Sequence, residues 1–281
     1  MEAMTKSQGV KTRISIVIPV LNEADGIPQL RNKLGRVQSV LAEFGDIELV
    51  FVDDGSTDAT LPLLRKAFPE GELCRVVSHH RNRGVGAAFR TGFQQATGNI
   101  VCTIDADCSY EPEGLKRLVE EMIEAKADVA VASPYHPEGG VQGVGAWRLM
   151  LSKVCSAIYR VISPVPLYTY TSIFRAYRWA VIENVKFESD GFVSAAEILI
   201  HAAERGYQVI EVPMVLRARQ LGTTKMKIVR TIGRHLAMMS TILIQRFRVS
   251  RVQAGRRAPA TLENVPGPTT GTVYQYSTEK E

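Results

Sequence analysis

The sequence predicts an α/β protein built on a doubly wound, mostly parallel sheet. Three observations predict it. Short apolar runs at 14–18, 47–52, 73–78, 100–104 and 127–132 have the length and β-branched content of buried parallel strands. Segments with helical apolar spacing alternate with them, as βαβ units require. Two of the runs end in acidic turns, Asp53-Asp54 and Asp105-Ala106-Asp107. Those turns lie at strand carboxyl ends, the edge where open α/β sheets bind ligands.

In chain order, ISIVI (14–18) is a first strand ended by Pro19. Asn22, Glu23 and Asp25 precede a helix with Ile27, Leu30, Leu34, Val37 and Leu41 on one face. Gly45-Asp46 breaks it. IELVFV (47–52) follows and runs into Asp53-Asp54-Gly55-Ser56-Thr57-Asp58, where Ser56 or Thr57 can cap the next helix. After the strand LCRVVS (73–78), Gly84 and Gly86 open a helix carrying Ala87, Ala88, Gly92 and Ala96. Free N–H groups there can hold phosphate. A tight turn with close helix–sheet packing explains the glycines equally well. The segment has neither GxGxxG nor a Walker lysine pattern.

The run 100–104 leads into Asp105-Ala106-Asp107. On an extended chain residues i and i+2 face one side, so both carboxylates leave the strand toward one point. Two such charges repel unless a cation lies between them, and Mg²⁺ or Mn²⁺ with substrate phosphates fits. The plainer reading is a turn, because Asp is common at strand ends and caps. A helix over 112–125 and a strand over 127–132 follow. The stretch 133–145, with two prolines and four glycines, is loop-like and reads as a lid; its His136 reads as a surface histidine. A helix at 146–162 carries Trp147, Arg148 and Met150, with the aromatic and Met positions read as packing. Then come an extended Tyr/Thr-rich stretch (163–176), a helix over 191–207 and a strand over 208–216. From 225 to 248 an apolar stripe of Met226, Val229, Ile232, Leu236, Met239 and Leu243 runs beside Lys225, Lys227, Arg230, Arg234, Arg246 and Arg248. A basic amphipathic helix of this kind can lie in a membrane interface beside anionic lipid. The competing reading packs it on its own domain with a solvated basic face. Residues 1–13 read as a flexible N-terminus, 14–224 as one catalytic domain and 249–281 as a disordered tail.

Composition bounds the rest. The 281 residues are 45% hydrophobic and 22% charged, with net charge +5 and pI about 9.0. That is an ordinary globular composition. Cysteines at 74, 102, 108 and 155 form no CxxC pair, which disfavours zinc and reads as reduced core thiols. No secretory signal and no run of roughly 18 apolar residues is visible, so catalysis is expected to face the cytoplasm.

The pieces IPVLNE (18–23), FVDDGSTDAT (51–60), RNRGVGAAFRTGF (81–93), DADCSYEPE (105–113), RLMLS (148–152), YTSIFRAYR (170–178), GYQVIEVP (206–213) and RQLGTTK (219–225) resemble, in order, the family 2 glycosyltransferases of the GT-A fold. Within it they are most similar to the dolichol- and polyprenol-phosphate mannosyl- and glucosyltransferases. The resemblance implies a Rossmann-like nucleotide-diphospho-sugar transferase fold. It implies nucleotide contacts from Pro19, Leu21 and Glu23, and a base-binding turn at Val52, Asp53 and Asp54. Asp105, Ala106 and Asp107 become the metal and sugar-nucleotide motif, with Ser109 a further metal-side residue. Arg219 and Lys225, six apart, become a phosphate-holding catalytic pair beside Asp105 and Asp107. Mg²⁺ or Mn²⁺ is the implied cofactor. A GDP- or UDP-hexose is the implied donor and a polyprenyl phosphate the implied acceptor. A membrane surface is the implied setting, a membrane partner subunit is compatible with it, and no nucleic acid is implicated.

The chain also departs from the family. Pro134 stands where relatives carry Arg in a GSRY-like element, leaving Arg148 as the nearest substitute phosphate contact. Thr169 and Ile173 replace an Asp and a Gly near the TSGFR element. The QxxRW motif of processive synthases is absent. Two further readings therefore stand beside the polyprenyl-phosphate enzyme. One is a soluble family 2 transferase acting on a hydroxyl, with Asp190 or Glu197 as base. The other is a non-catalytic sugar-nucleotide binder.

Overall fold

The structure, a computed structural model, describes residues 12–218 and 232–244. Residues 1–11 of the expected flexible N-terminus, all of 219–231, residues 245–248 of the expected amphipathic helix and the expected tail lie outside the described residues. In chain order the elements are β1 (Arg13–Val20), α1 (Ile27–Leu41), β2 (Asp46–Asp53), α2 (Thr60–Ala67), β3 (Cys74–Ser78), α3 (Val85–Gln95), β4 (Ile100–Thr103), α4 (Leu115–Glu124) and β5 (Val129–Ser133). They continue with β6 (Gly140–Gln142), α5 (Ala146–Ile162), β7 (Arg175–Arg178), α6 (Trp179–Asn184), α7 (Val193–Glu204), β8 (Val209–Pro213) and β9 (Val215–Arg217). Residues 232–244 are helical.

A seven-stranded sheet in the order β3-β2-β1-β4-β7-β5-β8 forms the centre. All its pairings are parallel except those of β7, which lies antiparallel between β4 and β5. The mostly parallel doubly wound expectation therefore holds. Strand alternation splits the core as period-2 geometry dictates. Ile14, Ile16, Ile18, Leu49 and Phe51 pack with α1, α2 and α4 on one face. Val17, Val50 and Val101 pack with α3, α5 and α7 on the other.

Several local expectations change. Pro19 does not end β1, which continues to Val20 paired with Asp53. The β4 side of β1 has its last partner at Val17↔Thr103, so past that point the N–H that Pro lacks is not required there. Ser56 and Thr57 do not cap α2; Thr60 N–H donates to Asp58 Oδ1 at 2.9 Å instead. The stretch read as one strand over 208–216 splits into β8 and β9. β9 pairs with β6, so the loop read as a lid contains a strand of its own. Only Cys102 among the four free cysteines is a core thiol, its pKa pushed up to about 12 by burial.

The largest surprise is β7. Arg175 is fully buried, and its guanidinium donates to Ala195 O (2.6 Å), Tyr170 O (2.9 Å) and the Tyr177 hydroxyl (3.3 Å). It satisfies carbonyls of two other segments and so holds the turn at 170 against α7.

The faces of two helices also differ from expectation. On α5 the covered face is Ser156, Tyr159 and Ile162, while Trp147 and Met150, read as packing, are exposed. In 232–244 the covered residues are His235, Met239 and Ile242, while Leu236 and Leu243 of the expected stripe are exposed. This segment docks through His235, whose Nδ1 lies 2.9 Å from the Tyr159 hydroxyl. Burial drives the imidazole pKa down to about 4, so the ring is neutral at pH 7. A folded pKa below the unfolded value of about 6.5 means stability present above pH 6.5 is lost as pH falls toward 4. Wild type should lose on the order of 3 kcal/mol over that window relative to His235→Gln, read from denaturant midpoints at each pH. Parallel pH curves for the two proteins would refute it.

Candidate active site

A cleft of about 710 Å³ opens at the carboxyl ends of β1 and β4. Its floor is made by Pro19, Val20, Leu21 and Glu23 after β1 and by Asp105, Ala106, Asp107 and Ser109 after β4. The two acidic turns expected to converge do so, because β1 lies between β2 and β4.

The first loop is tied to the second turn by short bonds. Asn22 N–H donates to Ser56 Oγ at 2.8 Å, Thr57 N–H to Asn22 Oδ1 at 2.7 Å and Glu23 N–H to Thr60 Oγ1 at 2.7 Å. Asp53 and Asp54 then separate. Asp54 lines the cleft, but its carboxylate accepts Arg83 N–H (2.9 Å) and Gly84 N–H (2.7 Å) and lies 2.7 Å from His79 Nδ1. Asp53 is buried and its Oδ1 accepts no hydrogen bond; it and the fully buried Val52 do not border the cleft.

Of the two readings of Gly84 and Gly86, the geometry favours the turn. Two N–H groups at the start of α3 are already spent: Gly84 on Asp54, and Gly86 on Asp190 O at 2.8 Å. Gly84 has φ +102°, and a Cβ on Gly86 would meet Ser189 O at 2.1 Å. The anion at this helix start is the protein's own Asp54.

On the floor, Ser109 gives both its N–H (2.9 Å) and its hydroxyl (2.8 Å) to Asp107 Oδ1. That orients the carboxylate. The following residue pairs anchor the turn: Glu111 bonds Lys33 of α1 at 3.0 Å and Arg217 of β9 at 2.6 Å. Arg217 N–H also donates to Ser109 O at 2.9 Å, so the chain leaves β9 beside the Asp107 turn. Arg219 and Lys225, which follow, lie outside the described residues. Arg148 lies in the first turn of α5, with its side chain outside them too.

Of the opposite wall, the sequence singles out Pro134, Thr169 and Ile173, as departures from the family pattern. The wall comprises Pro134, Tyr135, Ser152 of α5, Thr169 to Ile173 (Tyr170 apart), Phe192 and Arg234. Where relatives carry an acid, Thr169 bonds Ser133 through its hydroxyl at 2.8 Å. A carboxylate still sits beneath: Glu211 accepts Tyr168 N–H at 2.7 Å and Thr169 N–H at 2.8 Å, fixing that wall. Burial raises the Glu211 carboxyl, opposed by those two N–H groups. The candidate bases are both engaged. Glu197 accepts Glu188 N–H (2.8 Å) and Ser189 N–H (2.9 Å), and Asp190 pairs with Arg90.

The residues present fit a hard divalent cation. Asp105 and Asp107 offer oxygen donors at the cleft, the class that Mg²⁺ and Mn²⁺ prefer. Among the described residues no three His, Cys, Asp or Glu side chains gather into a metal cage. An ion here would need substrate oxygens or water to complete its shell, which is the usual manner of Mg²⁺ at phosphates.

The family model described as "Glycosyl transferase family 2" matches residues 15–185. A polyprenol monophosphomannose synthase of Mycolicibacterium smegmatis is 32% identical over 221 residues, 76% of this chain and 81% of that protein. A dolichol-phosphate mannosyltransferase of Pyrococcus furiosus is 29% identical over 217 residues, 76% of this chain and 59% of that protein. Among solved structures, glucosyl-3-phosphoglycerate synthase from Mycobacterium tuberculosis, in complex with Mn²⁺, UDP-glucose and phosphoglyceric acid, superposes with a TM-score of 0.59 at 20% identity. It covers 84% of this chain and 79% of its own, and that likeness speaks to the fold. With the parallel sheet, the paired carboxylates at its edge and the match across most of the domain, the chain belongs to glycosyl transferase family 2 and is a glycosyltransferase of the GT-A fold.

Proposed function

We propose that the chain moves a hexose, with inversion, from a nucleoside-diphosphate sugar to a polyprenyl phosphate at the cytoplasmic face of a membrane. The observation that carries this reading is the engagement of both candidate bases. A hydroxyl acceptor needs a base, and Glu197 and Asp190 are occupied by backbone N–H groups and by Arg90. A phosphate acceptor is an anion at neutral pH and needs none. The names of the two curated relatives point to the same acceptor class, and their mannosyl chemistry favours GDP-mannose over UDP-glucose as donor.

In this reading the donor lies along Pro19, Leu21 and Glu23, with its base toward the 52–54 turn. Asp54 is the member of the acidic pair that lines the cleft and holds the 83–84 turn, while Asp53 lies buried behind it. Asp105 and Asp107 would hold Mg²⁺ or Mn²⁺, which supplies positive charge to the leaving diphosphate. Ser109 orients Asp107 for that task. Arg219, Lys225 and Arg148 would add cationic contacts to phosphates. The acceptor phosphate oxygen enters from the Thr169–Ile173 and Arg234 wall and bonds to C1. The C1–O bond to the diphosphate breaks on the opposite face, and its electron pair leaves with the nucleotide.

The test is nucleoside diphosphate release from GDP-mannose and UDP-glucose, with and without a short-chain polyprenyl phosphate. Release that requires the lipid phosphate is the expected result and identifies the donor. Release indifferent to it would transfer the reading to a hydroxyl acceptor. Absence of nucleotide binding would overturn catalysis by this cleft.

A further inference from the structure

Among the described residues, helix α5 leaves a whole apolar face uncovered. Trp147, Met150, Val154, Ile158 and Val161 are between 38% and 77% exposed. At 100° per residue they fall within an arc of about 80° and extend for roughly 21 Å. Scattered exposed apolar residues need no explanation, but an aligned stripe of this length does. The other side of α5 is covered, with Ser156, Tyr159 and Ile162 buried. The 232–244 helix is held to it by the Tyr159–His235 contact and adds Leu236, Leu243 and Ile244 to the exposed apolar surface.

Charge decides what covers this face. Neither α5 nor 232–244 contains an Asp or Glu, while together they carry Arg148, Lys153, Arg160 and Arg234. Lys153 lies over the Tyr135 ring at 5.7 Å and Arg160 over the Tyr168 ring at 3.9 Å, flanking the stripe. A second copy docked through the same face by a twofold axis would set these cations against their own kind. An anionic bilayer surface accepts both the stripe and the flanking charges. No helix among the described residues is long and apolar enough to cross a membrane, so the docking is in the plane of the interface. Position agrees with charge: Ser152 of α5 and Arg234 of the second helix both line the cleft.

We propose that the outer face of α5 docks on an anionic lipid bilayer and sets the acceptor side of the cleft at the membrane surface. The proposal deepens the polyprenyl-phosphate reading and rests on it for its purpose, but its docking step is measurable alone. α5, rather than the basic 225–248 stretch by itself, supplies the apolar half of the surface.

The experiment is flotation of the full chain with vesicles of phosphatidylcholine, with and without phosphatidylglycerol, beside a Val154→Ser/Ile158→Ser/Val161→Ser variant. All three positions are exposed, so the variant should keep its thermal midpoint and its rate with a water-soluble short-chain acceptor. Wild type should float with the anionic vesicles, and the variant should bind them at least about tenfold more weakly. Its transfer to vesicle-embedded acceptor should fall in proportion. Equal flotation of the two proteins overturns the proposal, as does a wild type that ignores anionic vesicles. A wild-type dimer in sedimentation that the variant dissolves, without vesicle binding, assigns the face to a second copy and overturns it too. Vesicle binding through α5 without any transfer to polyprenyl phosphate leaves the docking standing and removes the acceptor reading alone.

Discussion

Asp107→Asn should lower kcat/KM for nucleoside diphosphate release by about 10³ while leaving the thermal midpoint near that of wild type. The reason lies in what the substitution keeps. Ser109 donates two hydrogen bonds to Asp107 Oδ1, and an amide oxygen accepts both, so the turn is preserved. What vanishes is the charge. In the proposed reading a leaving diphosphate gains negative charge as C1–O breaks, and a divalent ion that Asp105 and Asp107 would hold together would be bound weakly and sited poorly by one carboxylate. A loss of 10³ corresponds to about 4 kcal/mol of transition-state stabilisation, within the several kcal/mol ascribed to such ions. Ser109→Ala, which only releases the carboxylate from its orientation, should cost about tenfold and be relieved by more Mn²⁺. Chelation by EDTA should silence wild type reversibly. Asp107→Asn activity within tenfold of wild type, or full wild-type activity in EDTA, would remove the metal from the reading.

How much of this was legible in the sequence follows from where each signal resides. The β4 run and the acidic turn after it are local: β-branched residues followed by carboxylates at i and i+2 say both strand and edge. The first strands are legible for the same reason. β7 is not, because RAYR carries two arginines and only four residues. Its burial is licensed by Ala195 and Tyr170 carbonyls that no window around 175 contains. Trp147 and Met150 mark an apolar side of α5 in the sequence, but their spacing alone does not say which side meets the core. Tyr159 and Ser156, less apolar than Val154 and Val161, face inward. The far wall of the cleft assembles Tyr135, Thr171, Phe192 and Arg234 from four separate segments, each unremarkable in its own context. Glu197 illustrates the reverse error: a Glu among apolar neighbours on a helix suggests chemistry, whereas here it ties down two backbone N–H groups.

Gly86→Ala should destabilise the protein by about 3 kcal/mol and lower its thermal midpoint by roughly 6–12 °C. Adding one methyl elsewhere does the opposite. Gly35 lies exposed within α1, where a Cβ would meet nothing within 4 Å, and Gly35→Ala should stabilise by about 0.5–1 kcal/mol through helix propensity. At Gly86 the methyl would arrive 2.1 Å from Ser189 O and 2.9 Å from the Ser194 Cβ. A backbone oxygen cannot rotate aside, so the 188–191 segment has to move. That segment is held from three directions. Glu197 accepts the N–H groups of Glu188 and Ser189, Arg90 donates to Ser189 O at 3.2 Å and pairs with Asp190, and Gly86 N–H donates to Asp190 O at 2.8 Å. Movement large enough to admit the methyl breaks at least one of these bonds, and a charge-assisted one costs about 1.5–3 kcal/mol. Activity should fall alongside stability, because Gly191 and Phe192 at the end of the same segment line the cleft. Glu197→Gln should mimic the stability loss in milder form with kcat little changed, as an anchor does and a base does not. Equal thermal midpoints for Gly86→Ala and wild type would mean that the segment yields freely, and the wall it supports would then have to be set by the substrate instead.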